Sequence, residues 1–335
     1  MLASMPPRVP ELDVDLDVPP DRRWDHLGPW RQQARKLIEF YVRDIGGIES
    51  FGPSLRAYAE AYVPPELVEE MRGVARILDV DEQDVVFANL YYDAMKIVLA
   101  SPTVGCTGFA VDTASGPLHA RNLDWTTAEG LLASETLILN FRRAGEAPLY
   151  RTVGWPGFVG CLSGLAKGRF AVTLNAAMSE DPPELAPPMC FVLRQTLEKA
   201  RDFAEAVETL RAVEVASDSL LLVSGPVAGQ MAVVERSPKR GVVRGPEGGF
   251  VLSTNHYRAL PESGTATVAG NALAETSCGR YERAEELLGR SPPCDARGCF
   301  EVLGDPGVKM TSTVQQMVLS AGSGEVVVVL PERAG

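Results

Sequence analysis

Gly105-Cys106-Thr107 sits where a helical sequence gives way to a β-rich one. A cysteine thiolate is a strong nucleophile, but a neutral thiol needs a base. The three histidines, His26, His119 and His256, are not obviously placed for that task, and His119 reads as an ordinary strand residue. A cysteine freed at a chain terminus carries its own base, an α-amino group of pKa about 7.7–8.0. The chemistry in view is therefore a backbone cut between Gly105 and Cys106 that creates a nucleophile. Taken alone, any one of six cysteines is more commonly a buried structural thiol.

The following residues sharpen the case. Thr107–Asp112 and Leu118–Asp124 flank Thr113-Ala-Ser-Gly-Pro117, which has the chemistry of a hairpin loop. If Asp112 and Leu118 close it, Cys106 lies opposite Asp124; a shift of one residue puts it opposite Leu123. Arg121 stands three positions from Asp124, about 10 Å along a strand. Asp124 is suited to orient an amine, and Arg121 to lower the thiol pKa or bind an acyl oxygen. Strict alternation puts the two on opposite faces, so either one lies beyond the regular strand or a bulge intervenes. Without catalysis, an Arg–Asp salt bridge is the ordinary expectation for this pair.

Two kinds of element must position these residues. Trp30–Ile45, Ser54–Tyr62, Glu66–Leu78 and Glu82–Leu99 carry apolar residues at steps of three and four. Pro65 suits a first helical turn, where its missing N–H costs nothing. Residues 1–20, rich in Pro and Asp, read as an extended arm. From Cys106 onward short apolar runs dominate: Thr107–Val111, Leu118–Asn122, Thr136–Phe141, Phe158–Leu162, Phe170–Leu174, Ser219–Val223, Met231–Val234, Val251–Thr254 and Val326–Leu330. They predict mostly antiparallel strands, with helical blocks at Phe191–Leu210 and Tyr281–Leu288. The class is α+β, a helical module over 1–105 followed by a catalytic module over 106–335.

At 335 residues and 45% apolar content, the chain can bury a sizeable core. A net charge of −12 argues against nucleic acid as a partner. No basic start followed by an apolar run precedes the helices, so the cytoplasm is the expected location. The longest apolar candidate, Val85 to Ala100, is interrupted by Asp93 and Lys96, so no transmembrane segment is expected. No C-x-x-C pair or histidine pair at i,i+4 supports a metal. Nucleotide loops, a G-x-S-x-G elbow and H-E-x-x-H are also missing, and no cofactor is expected.

Cys106-Thr107 followed by Arg121-Asn122-Leu123-Asp124 resembles the signature of acid ceramidase and N-acylethanolamine acid amidase. These enzymes belong to the wider choloylglycine-hydrolase and penicillin-acylase-like group. Asp15-Leu16-Asp17-Val18-Pro19-Pro20 with Arg23-Trp24, and Val63-Pro64-Pro65-Glu66-Leu67 leading to Met71-Arg72-Gly73, extend the resemblance. Gly157-Phe158-Val159-Gly160, Ser163-Gly164 and Thr173-Leu174-Asn175 add to it. It implies an αββα sandwich of two antiparallel sheets, the N-terminal-nucleophile (Ntn) hydrolase fold, made as a precursor that cuts itself into fragments that stay associated. It also implies Cys106 as nucleophile, Arg121 and Asp124 as its orienting groups, and Asn175 as oxyanion support. Asn255, in Ser-Thr-Asn-His-Tyr, would serve amine and oxyanion, and Arg280 resembles a later arginine of the group. Thr276-Ser-Cys-Gly-Arg280-Tyr is closer to the penicillin-acyltransferase branch. If the helix there starts near Ser277, Arg280 opposes its dipole.

The implied reaction is hydrolysis of the linear amide of an N-acylated amine, lipid-like, through an acyl-enzyme. An acyltransferase on the same machinery is the alternative, and a binding protein with a degenerate site is another. Trp125, Trp155 and Phe158, with Leu131 and Leu132, are candidates for an apolar acyl groove.

Overall fold

Helix signals and structure agree closely in the first third of the chain. The computed structural model describes residues 9–45, 47–48, 52–99, 104–125, 130–143, 147–260 and 272–331. In it α1 (Arg31–Asp44), α2 (Gly52–Tyr62), α3 (Pro65–Leu78) and α4 (Glu82–Leu99) stand where the apolar periodicity placed them. Pro65 occupies the first turn of α3, and Asp79 closes that helix at φ 57°. Among the described residues no helix is long and apolar enough to cross a membrane.

The N-terminal arm does more than extend. Its β1 (Glu11–Asp15) pairs in parallel with β4 (Leu137–Arg142). The sheet continues through β5 (Tyr150–Gly154), β6 (Ser163–Ala166), β7 (Phe170–Ala176), β8 (Ser219–Ser224), β9 (Met231–Arg236) and β10 (Gly241–Arg244). A second sheet runs β11 (Phe250–Ser253), β2 (Val104–Val111), β3 (Leu118–Trp125), β12 (Thr313–Ser320), β13 (Glu325–Val329), all antiparallel. Strands β2 and β3 pack on β7 and β8, face to face. Helices α6 (Met189–Lys199) and α7 (Phe203–Ala212) cover the first sheet. Helices α8 (Ala272–Arg290) and α9 (Ala296–Leu303) cover the second, and a single turn, α5 (Leu131–Ser134), precedes β4. The result is the αββα sandwich that the resemblance implied.

Three expectations need correction. The helical block Phe191–Leu210 is two helices. Arg169 donates to Leu197 O (2.8 Å) and Ala200 O (2.5 Å), capping the end of α6. Asp202 then caps α7 by accepting from Glu205 N at 2.9 Å. The predicted strand Phe158–Leu162 is a loop that turns at Gly157, φ 84°. Helix α8 begins at Ala272 rather than near Ser277, so Arg280 lies about two turns inside it and does not meet the N-terminal dipole.

The helical module is welded to the sandwich by a buried carboxylate. Glu70 on α3 accepts from both terminal nitrogens of Arg194 on α6, each at 2.6 Å. It also accepts from Arg23 Nη1 (2.7 Å) and Trp24 Nε1 (2.8 Å). All four side chains are buried. These partners hold the Glu70 carboxyl below the usual range although burial, the largest influence, pushes it up.

Between the sheets, His119 bridges Thr173 Oγ1 (Nε2, 2.8 Å) and Ser224 Oγ (Nδ1, 3.1 Å). It is a strand residue, as expected, and its ring holds the two layers in register. Burial, aided by the charge of Arg121, lowers its pKa to about 3. The unfolded chain takes up a proton near pH 6.5, whereas the folded one does so only near 3. Stability is therefore lost as pH falls through that window, by up to about 1.4 kcal/mol per pH unit. In a Cys106→Ala background, His119→Gln should show a shallower loss of urea stability between pH 6.5 and 3. Equal slopes would mean that the imidazole titrates as a solvent-exposed group does.

Candidate active site

The hairpin takes the shifted register: Cys106 pairs with Leu123, Gly105 with Asp124 and Gly108 with Arg121. Alternation then puts Cys106, Gly108 and Arg121 on the face that meets the first sheet, and Thr107, Asn122 and Asp124 on the face beneath α8 and α9. Contacts agree with this division. Arg121 reaches Leu162 O on the first-sheet side, and Asn122 donates to Leu303 O of α9. A side chain at Gly108 would crowd the Leu222 side chain at 3.3 Å.

On the inner face Arg121 serves the sulfur. Its Nη2 donates to Cys106 Sγ at 3.1 Å and also to Leu174 O. Its Nη1 donates to Leu162 O at 3.1 Å and to Ser163 Oγ. Both residues are fully buried. Burial pushes the Cys106 thiol above its ordinary pKa; the Arg121 charge opposes this most, and Asp124 adds to the rise.

Two residues, Asn255 and Arg280, bond the main chain of Cys106, and Asp124 lies across from Gly105. Asn255 Oδ1 accepts from Cys106 N at 3.1 Å, and Asn255 Nδ2 donates to Ala176 O at 2.9 Å. Arg280 Nη1 donates to Cys106 O (2.6 Å) and Thr107 Oγ1 (2.9 Å), and its Nη2 to Asn255 Oδ1 (2.7 Å). Asp124 accepts from Thr313 Oγ1 at 2.6 Å through Oδ1, while its Oδ2 is buried with no partner. Burial raises the Asp124 pKa, against the Thr313 hydrogen bond and the charges of Arg280 and Arg121.

Neither a bulge in β3 nor an excursion beyond it is needed, since the sulfur and the main chain are approached from opposite sides. The irregularity falls instead on β12, between Thr313 and Gln315, where it faces Asp124. No ion pair joins Arg121 to Asp124; the ordinary salt bridge is absent because the two face apart.

Asn175, expected to support an oxyanion, lies buried on β7 between the two sheets. Its Nδ2 donates to Ser253 O (3.2 Å), Ser253 Oγ (3.2 Å) and Thr254 O (3.1 Å), bracing the strand that leads to Asn255. Its Oδ1 is buried without a partner. Trp125, Trp155 and Phe158 form an edge-to-face row at centroid spacings of 6.1 and 5.9 Å. Trp125 also stacks on Tyr91 of α4 at 5.9 Å. Both tryptophans are buried in this state and Phe158 is half-buried, so they form a wall rather than an open groove. Among the described residues no cluster of side chains suits a metal ion.

Ser163 and Ser277 lie in motifs noted for resemblance but were given no role there, and Thr313 lies outside every motif. Ser163 lies in the Ser-Gly pair noted for its resemblance, where a hydroxyl beside a buried arginine was the available signal. Thr313 opens a strand whose polar centre hides it.

Residues 111–318 match the family model described as acyl-coenzyme A:6-aminopenicillanic acid acyl-transferase. Acid ceramidase of Balaenoptera acutorostrata scammoni is 25% identical over 296 residues, 75% of this chain and 70% of that protein. An N-acylethanolamine-hydrolyzing acid amidase of Caenorhabditis elegans is 25% identical over 241 residues, 67% of this chain and 66% of that protein. The solved structure of the C. elegans N-acylethanolamine-hydrolyzing acid amidase ortholog superposes with a TM-score of 0.55 at 23% identity, over 68% of this chain and 95% of that one. The chain belongs to the acyl-coenzyme A:6-aminopenicillanic acid acyl-transferase family, among the acid ceramidase- and N-acylethanolamine acid amidase-like Ntn hydrolases.

Proposed function

We propose that this chain cuts its own Gly105–Cys106 bond and then hydrolyses the linear amide of an N-acylated amine through a thioester on Cys106. One observation carries the reading. Cys106 N already donates to Asn255 Oδ1 while, opposite Gly105, a buried Asp124 oxygen has no partner. An amide nitrogen offers one hydrogen there; a freed ammonium offers three, and Asp124 Oδ2 is suited to take one.

In self-cleavage, Cys106 Sγ attacks the Gly105 carbonyl carbon and the acyl group moves from nitrogen to sulfur. Water then hydrolyses that thioester, releasing residue 105 as a carboxylate. In turnover the new α-amine takes the thiol proton as Sγ attacks the substrate carbonyl. The tetrahedral intermediate collapses, the amine leaves with that proton, and water cleaves the acyl-enzyme. Arg121 lowers the cost of the thiolate, Asn255 and Asp124 hold the amine, and Arg280 holds the Cys106 carbonyl oxygen and the Asn255 amide. The fragments, 1–105 and 106–335, stay associated, an inference supported by the shared core, the β1–β4 pairing and the Glu70–Arg194 contact. Transfer of the acyl group to an amine is the second reading, favoured by the matched family's own description.

Mass spectrometry of purified protein should find fragments of 105 and 230 residues (335 − 105 = 230), and Cys106→Ala should remain one chain. Active protein with an intact 105–106 bond would sink the mechanism. Asp124→Asn should lower kcat/KM at least ~100-fold with little change in Tm, while Arg121→Ala should lower kcat/KM as far and lower Tm as well, because it leaves buried acceptors without a donor. Full activity in either would leave that residue a structural group only.

The named relatives act on ceramide and N-acylethanolamine, and the aromatic row offers an apolar wall to an acyl chain. Each buried methylene adds about 0.8 kcal/mol, so hydrolysis of N-acylethanolamines should improve with chain length from acetyl toward long acyl groups. A flat profile, or a preference for phenylacetyl, would favour a compact-acyl acylase or acyltransferase.

A further inference from the structure

One hydroxyl stands behind the contacts that hold the Cys106 main chain. Ser277 is fully buried on α8, one turn before Arg280. Its Oγ accepts from the backbone N–H of Asn255 at 2.8 Å. The same oxygen donates to Thr254 Oγ1 at 2.9 Å and lies 2.8 Å from His256 Nδ1. Thr254 Oγ1 in turn donates to Ser277 O at 3.1 Å. A hydroxyl has one hydrogen and two lone pairs. With its hydrogen on Thr254, both lone pairs are filled, by Asn255 N–H and by a hydrogen on His256 Nδ1. Every member of the cluster is then satisfied, and three successive residues, Thr254, Asn255 and His256, are pinned to one atom of α8.

The same turn and the same helix supply both groups that grip Cys106. Asn255 Oδ1 holds its nitrogen and Arg280 its carbonyl oxygen, and the two also bond each other. Their relative position is therefore set by how the turn seats on α8. We propose that Ser277 is a positioning residue, its hydroxyl fixing the Thr254–His256 turn on α8 so that Asn255 and Arg280 meet the Cys106 main chain together. Ser277 touches neither Cys106 nor the scissile bond. It acts through Asn255, and its role rests on the reading of Cys106 as the amine-bearing nucleophile. Alanine would leave the part-buried Asn255 N–H without its acceptor, a larger penalty than loss of a solvent-exposed hydrogen bond.

The test compares Ser277→Ala and Ser277→Thr in the fully cleaved enzyme with an N-acylethanolamine substrate. The alanine variant should lose roughly 10- to 100-fold in kcat, the scale set by one lost buried partner, with KM little changed. Asn255 Oδ1 accepts from the amine and so favours its protonated form. Loosening it should move the acid limb of the kcat/KM profile to lower pH. Threonine, which keeps the hydroxyl, should restore both. If the alanine chain does not fold, Ser277→Cys, close in volume and weaker as an acceptor, takes its place with the same expectation. Unchanged kcat and an unmoved acid limb would overturn the proposal. So would a loss that threonine does not repair, since that marks packing alone. A Cys106→Ala enzyme that stays active would instead sink the nucleophile reading, whatever Ser277 does.

Discussion

The pairing register of β2 with β3 is the constraint on which the site depends. Placing Gly108 opposite Arg121 puts that guanidinium on the same face as Cys106 Sγ, and placing Gly105 opposite Asp124 sends the carboxylate to the other face. A slip of one residue would exchange the faces of a whole strand, leaving Arg121 beneath α8 and Asp124 between the sheets. Buried contacts on both faces oppose such a slip. His119 ties β3 to β7 and β8, and Asn122 ties it to α9 and β12. Arg121 thereby meets the Cys106 sulfur on the inner face of the sandwich, while Asp124 lies on the face beneath the helices.

A second, longer connection links the helical module to the same site. Glu70 fixes Arg194, and Arg194 donates to Val159 O at 2.8 Å. Asn89 of α4 accepts from Val159 N at 2.6 Å and donates to Gly157 O at 3.1 Å. The 157–159 loop is thus gripped through its backbone by both modules, and it leads into Leu162 and Ser163, the acceptors for Arg121. Breaking a buried ion pair by removing one partner costs about 3–5 kcal/mol. Here the loss would reach Arg121, the arginine beside Cys106, through the loop as well as the fold.

Much of this was legible in sequence, and the exceptions share a cause. The four leading helices have clean apolar periodicity, and the hairpin carries turn chemistry between two apolar runs. Strand β12 has Gln315 and Gln316 at its centre. Both are largely buried, and they find partners in Thr136 and Asn122 that no local pattern reveals. Helix α8 starts nine residues (281 − 272 = 9), about two and a half turns, ahead of the block its apolar residues indicated. Asn175 reads as an end-of-strand amide, and only the sandwich shows that its donors go to Ser253 and Thr254. Ser277 falls in the motif around Arg280, but its task was not legible there, because its partners lie some twenty residues back in the chain. Tertiary polar contacts, unlike apolar period, leave no repeat to read.

The parallel pairing of β1 with β4 has a consequence for how the cut protein would come apart. Before scission, β1, the helices and the catalytic sheets are one chain, and its unfolding can reverse within one molecule. After scission at residue 105, the first strand of one polypeptide completes the edge of a sheet belonging to another. Reassembly then becomes a second-order event, and dilution opposes it by mass action. On the proposed cleavage, a precursor would reach its fold as a single molecule, and the cut product would keep it only while its fragments stay together. Its working lifetime becomes a matter of rate, a kinetic stability set when the bond is cut.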